Sequence, residues 1–157
     1  LFEGATINTP SLLVIEDAID ALSWAEEIGG IEALLKRVDT SFAHFMDWVG
    51  ASPHFEVLAR DPATISPTAL CLVISDDWFT AQPGEVQAGV VNSMLALLEA
   101  EDVAVDINAY RDAPTGLRIW GGPTVDPEDI ASLLPWLDWA YETVRADLQD
   151  GSPHGDG

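Results

Sequence analysis

PHFEVLARDPATISPTALCLVIS, residues 53–75, is where the chain changes period. Its ends, FEVLA (55–59) and ALCLVIS (69–75), are short runs of aliphatic, aromatic and β-branched residues, with the turn formers Asp61-Pro62 and Ser66-Pro67 between them. That pattern predicts two strands joined by a loop. Upstream the period is helical. Leu12, Ile15, Ile19 and Leu22 share a stripe within residues 10–29, and Leu34, Val38, Phe42, Phe45 and Val49 share one within 31–50. Gly29-Gly30 separates the two segments, as glycines end helices, so an αα-hairpin is expected.

Downstream, Val86, Val90, Met94, Leu97 and Leu98 predict a helix over 84–101, and VAVDI (103–107) and GLRIWG (116–121) read as two further strands around the turn-rich RDAPTG. A last helix opens at Asp126-Pro127-Glu128-Asp129, with proline at its first position. Pro135 should break or kink it before Trp136, Leu137, Ala140, Tyr141, Val144 and Leu148 continue the stripe. The order α-α-β-β-α-β-β-α predicts an α+β layer architecture, with about four short, mainly antiparallel strands and helices on one side. It argues against a doubly wound parallel sheet. The Gly/Ser/Pro/Asp-rich end, 149–157, reads as a disordered tail.

The 157 residues carry 27 acids against 6 bases, a net charge of −21. Such a surface repels nucleic acid and anionic membranes. The acids are spread along the chain and Lys36 is the one lysine, which favours a salt-adapted surface over an acidic interaction tail. No run is long enough to span a bilayer, and a soluble protein is expected. The single cysteine, Cys71, excludes an internal disulfide and reads as a buried, inert thiol. His44, His54 and His154 lack metal-ligand spacing and read as surface or helix-face residues. There is no phosphate-binding glycine loop and no GxSxG, and Lys36 beside Arg37 reads as a solvated surface lysine.

Two features could carry chemistry. In GATINTPSLL (4–13), Thr9 reads as a helix N-cap with Pro10 at the first helical position, and Asn8 adds an amide donor. This is either an ordinary cap or an anion site at a helix start. In YRDAPTGLRIW (110–120), Arg111 and Arg118 flank one turn. Their guanidinium forks suit carboxylate or phosphate recognition, or else form salt bridges to the plentiful acids.

Together, GATINTPSLLVIEDAIDALSWAEEIGG (4–30) and YRDAPTGLRIW resemble the phosphoserine aminotransferases, pyridoxal-phosphate (PLP) enzymes of fold type I. RDPATIS (60–66) and PWLDWA (135–140) are similar to further motifs of that family, in the same order. The resemblance covers Leu1 to about Leu148 and implies a linker helix (1–30) ahead of the small C-terminal domain (31–148) of such an enzyme. It implies that Asn8 and Thr9 contact the phosphate of PLP in a site shared across a homodimer. It implies that Arg118 binds the substrate α-carboxylate and that Arg111 binds the substrate phosphate. The family's histidine before the second of these arginines is Tyr110 here. The Schiff-base lysine of the family would precede Leu1, so no catalytic residue is expected in these 157 residues, which would be inactive alone.

The implied reaction moves an amino group between L-glutamate and 3-phosphohydroxypyruvate, giving O-phospho-L-serine and 2-oxoglutarate in the cytoplasmic synthesis of serine. No metal, nucleic-acid or membrane partner is expected. The alternatives are another fold-type I aminotransferase and a non-catalytic acidic α+β binding module.

Overall fold

A computed structural model describes residues 11–151. The chain divides into two compact units, Leu1–Lys36 and Arg37–Gly157. The first holds helix α1 (Leu12–Glu27) and the start of α2 (Gly30–Ala51). Gly29 and Gly30 make the turn between them with φ of 115° and 70°, a left-handed backbone that a side chain would strain. α1 starts later than expected. Its N-cap is Ser11, which is extended. Thr9 and Pro10 themselves lie outside the described residues. No residue of α1 is buried, and Leu12, Ile15, Ile19 and Leu22 of the expected stripe are exposed.

The second unit is built on a three-stranded antiparallel sheet in the order β1 (Phe55–Val57), β2 (Ala69–Ile74), β3 (Leu117–Trp120). Residues 77–80 form a single-turn helix, α3 (Asp77–Thr80), that the sequence pattern did not indicate; α4 (Gly84–Ala100) and α5 (Pro127–Asp150) are the long helices. β2 is the central strand, and its alternation works as a half-buried strand requires. Leu70, Leu72 and Ile74 face the core, while Ala69, Cys71 and Val73 are only half-buried. Leu72 pairs with Leu117 and Leu70 with Ile119, so β3 adds to the same buried face. That face packs into one cluster with Val90, Met94 and Leu98 of α4 and Ile130, Leu134, Leu137, Tyr141 and Val144 of α5. The buried positions of α5 recur every three or four residues, one helical face.

The α+β architecture with an antiparallel sheet is as expected, but residues 103–107 do not form a strand, and among the described residues the sheet has three strands where about four were expected. Asp102 and Asp106 both turn left-handed at φ 56°, which breaks an extended run at either side, and only Asn108 bridges to Leu117. Pro135 lies inside a continuous α5, where the flanking buried Leu134 and Leu137 hold the helix in place. Cys71 is half-buried on the open face of the sheet rather than sealed in the core. α5 also runs through Asp150, two residues into the segment read as a tail.

Two polar contacts anchor α5, one at its start and one at its middle. Asp126 caps its start without a side-chain hydrogen bond to the helix and pairs instead with Arg37, whose Nε donates to the Pro123 carbonyl at 2.8 Å. Trp48 Nε1 donates to Asp138 Oδ2 at 2.7 Å, tying α2 to the middle of α5. Gly116 is required at the entrance to β3, because a Cβ there would collide with the backbone carbonyl of Leu72 on the neighbouring strand.

Candidate functional site

β3 sets the position of Arg118. Its Cα pairs with Cys71 at the centre of the antiparallel ladder, and its amide donates to the Ile107 carbonyl at 2.8 Å. Because side chains alternate along a strand, Leu117 and Ile119 enter the core and Arg118 emerges on the opposite, open face. The guanidinium carbon lies 4.3 Å from the centre of the Tyr110 ring. The Arg118 Nε is buried yet donates to no acceptor among the described residues. Among the described residues, no carboxylate lies within ion-pair distance of Arg118. Asp106 and Asp129 share its cavity with Ile107 and Trp120 but do not pair with it.

That solitude carries information. Arg37 and Arg145 are paired with acids, and the sequence offers 27 carboxylates to choose from. A buried N–H without an acceptor costs about 1–3 kcal/mol, more beside a charge, and a stacked guanidinium presents its planar edge to an incoming anion. The salt-bridge alternative for Arg118 is not found in this structure.

Arg111 sits apart. It lines a cavity formed by the 108–116 loop and the Asn92 side of α4, and it too makes no ion pair with a described residue. The structure therefore places the two arginines in adjacent cavities rather than one. Tyr110 joins them, lining the Arg111 cavity and covering the Arg118 guanidinium. The loop that carries Tyr110 is closed by two backbone hydrogen bonds, Ala109 N–H to the Gly116 carbonyl at 3.3 Å and Ala113 N–H to the Tyr110 carbonyl at 2.9 Å.

Asn8 and Thr9 lie outside the described residues. At the start of α1, Ser11 makes no side-chain cap, and no acidic residue occupies the first turn. The first amides of a helix have no partner within the helix itself, the donor set that a phosphate group takes at a helix N-terminus. Lys36 is exposed on α2. Among the described residues no cluster of His, Cys, Asp or Glu is arranged to hold a metal ion, and no helix is long and apolar enough to cross a membrane.

One polar cluster escaped the sequence reading. His54 is buried at 8% exposure rather than on a surface or helix face. Its Nδ1 faces Asp76 Oδ2 at 3.5 Å and its Nε2 faces Glu142 Oε1 at 3.4 Å. Asp76 is the N-cap of α3, accepting from the amides of Trp78 and Phe79, and Arg145 Nη1 donates to it at 3.0 Å. Burial works against its charge, but the Tyr141 hydroxyl, the Phe79 amide and Arg145 outweigh that effect and hold the carboxyl below its ordinary range. The Tyr141 hydroxyl lies in the field of that carboxylate without the geometry of a full hydrogen bond. Its burial, and then the Asp76 charge, push the phenol above its usual value. Only long-range contacts build this cluster: Arg145 is 69 residues from Asp76, and Glu142 is 88 from His54. No local spacing could have announced it.

The comparisons with known proteins agree with the motif resemblance. The chain is 38% identical over 92% of its length to the phosphoserine aminotransferase of Methanosarcina mazei, and it covers 36% of that protein. To the phosphoserine aminotransferase of Methanosarcina barkeri it is 39% identical, again over 92% of the chain and 36% of the relative. A more distant relative, the phosphoserine aminotransferase of Rhodococcus jostii, is 27% identical over 88% of the chain and 34% of the relative. The chain thus spans about a third of the length of the curated relatives it matches, and over that third its resemblance to phosphoserine aminotransferase holds. No family model matches it.

Proposed function

We propose that this chain is the C-terminal, substrate-facing part of a PLP-dependent phosphoserine aminotransferase. The whole enzyme would move an amino group between L-glutamate and 3-phosphohydroxypyruvate, giving O-phospho-L-serine and 2-oxoglutarate in the cytoplasmic synthesis of serine. One observation carries the reading: Arg118 projects from β3 with its guanidinium carbon over the Tyr110 ring and a buried Nε that finds no acceptor among the described residues, in a chain crowded with acids. A substrate α-carboxylate is the anion that such a fork takes by two parallel hydrogen bonds. Held this way, the substrate keeps its Cα in one orientation, which is catalysis by positioning.

Arg111, in a separate cavity, makes no ion pair with a described residue and suits the second anionic group of a phosphorylated substrate. Asn8 and Thr9, with the first-turn amides of α1, would hold the cofactor phosphate across a homodimer interface. Bound PLP supplies the electron sink that lets the amino group leave one carbon and join another. The only lysine in the sequence, Lys36, is exposed and lacks the desolvation that makes an amine nucleophilic. The catalytic lysine would come from another part of the longer protein, and the 157 residues by themselves would be inactive. The −21 net charge with a single lysine fits an enzyme adapted to high salt.

A second reading, another fold-type I aminotransferase, draws on Tyr110, which stands where the resembled pattern has a histidine beside the arginine of the phosphate pair. A panel of 2-oxo acids offered with L-glutamate to the full-length, PLP-loaded enzyme separates the two. A preference for 3-phosphohydroxypyruvate of at least about tenfold, or 1.4 kcal/mol, over unphosphorylated acceptors supports the first reading. Equal use of both overturns it in favour of the second.

A further inference from the structure

We propose that Tyr110 is a positioning residue for Arg118, holding its guanidinium edge-on toward a substrate carboxylate. The inference rests on the reading of Arg118 as the carboxylate receptor and adds the device that prepares it. An arginine on a strand ordinarily loses several rotamers when it binds, which weakens affinity unless something orders it beforehand. In most proteins a carboxylate does that work, but a carboxylate would also occupy the fork. Here no acid among the described residues pairs with Arg118, although Asp106 and Asp129 line the same cavity. The ordering contact is instead an aromatic face, with the guanidinium carbon 4.3 Å from the centre of the Tyr110 ring.

Stacking uses the face of the guanidinium and leaves its in-plane N–H groups free. It therefore orders the cation without competing for the bonds that the carboxylate needs. Tyr110 is not held there by the core, for it is 68% exposed. Its backbone is held by the loop closure, Ala113 N–H to the Tyr110 carbonyl, next to the bridge between Asn108 and Leu117. The loop anchored on β3 thus returns its tyrosine over the arginine that β3 itself presents. Tyr110 also lines the cavity of Arg111.

The test uses the full-length, PLP-loaded enzyme and reads kcat, the KM for L-glutamate, and inhibition by glutarate, a dicarboxylate without the amino group. Tyr110→Ala is expected to raise the glutamate KM and the glutarate Ki by about three- to tenfold, the loss of one pre-ordered side chain, with kcat changed less than about twofold. Tyr110→Phe, which keeps the ring, should restore both values, and Arg118→Gln should raise them further. In the Arg118→Gln background Tyr110→Ala should add nothing. If Tyr110→Ala matches wild type while Arg118→Gln fails to bind glutarate, the positioning role is overturned and the carboxylate reading stands. If neither variant changes KM or Ki, the carboxylate reading itself is overturned. A Tyr110→Phe that behaves like Tyr110→Ala would assign the effect to the hydroxyl and overturn stacking. Because the Tyr110 ring is exposed, thermal midpoints of the variants should coincide with wild type, which separates binding loss from misfolding.

Discussion

Replacing Asp76 should destabilise the second unit by two separable amounts, one from its cap and one from its charge. The carboxylate accepts the Trp78 and Phe79 amides at the start of α3, and Arg145 donates to it at 3.0 Å. Loss of an N-cap costs about 1 kcal/mol. A hydrogen bond to a charged group is worth about 1.5–3 kcal/mol, but Arg145 is about a third exposed and screening brings its share to about 1 kcal/mol. Asp76→Ala should therefore cost about 2 kcal/mol, and Asp76→Asn, which keeps a capping oxygen, about 1 kcal/mol. At about 2–4 °C per kcal/mol for a chain of this size, the melting midpoints should fall by about 4–8 °C and about 2–4 °C. Asp39→Asn, an exposed site on α2, controls for the general relief of self-repulsion at −21.

The pH dependence follows from the lowered Asp76 carboxyl. A group whose folded value is depressed stabilises fully above its unfolded value, about 3.9, and loses that contribution as pH falls through the folded value. Urea unfolding of wild type and Asp76→Asn should show a constant gap from pH 7 to about 4, closing below it. A gap that persists unchanged at pH 2, or no gap at pH 7, would refute the electrostatic account of this cluster.

Two further perturbations test the packing. Gly116→Ala places a Cβ against the Leu72 carbonyl, and since backbone must move to admit it, a loss of about 2–4 kcal/mol is expected by thermal unfolding; an unchanged midpoint would mean that β2 and β3 do not approach as described. The raised Tyr141 phenol makes folding favour its neutral form, so stability should fall as pH rises above about 10, where the unfolded tyrosine ionises. Tyr141→Phe should remove that part of the alkaline decline, and an identical decline in the variant would count against burial of the phenol beside Asp76.

Most of the architecture was legible because it is periodic. The alternation of ALCLVIS and the helical stripes of 84–101 and 127–148 report burial directly, and the sheet and the two long helices follow them. The segment 103–107 misled because a short apolar run looks like a strand, whatever its flanks do. The left-handed turns at Asp102 and Asp106 are a backbone choice that hydrophobic alternation does not encode. Pro135 misled in the opposite direction: local chemistry says break, and the packing of Leu134 and Leu137 overrides it. Arg118 was found because five arginines are few among 27 acids, and a pair around one turn stands out. Its aromatic partner Tyr110, in the loop before β3, was visible only as a departure from a motif. The His54 and Asp76 cluster had no sequence signal, since its members meet only after the sheet and α5 are in place.

The account stands or falls on whether Arg118 takes the substrate carboxylate through its fork. Arg118→Lys keeps the positive charge and removes the planar pair of donors, so it tests geometry rather than charge. In the full-length, PLP-loaded enzyme, kcat/KM for L-glutamate should fall by about 100-fold, or 2.7 kcal/mol, while the circular dichroism spectrum is retained. A lysine variant within about threefold of wild type would contradict it.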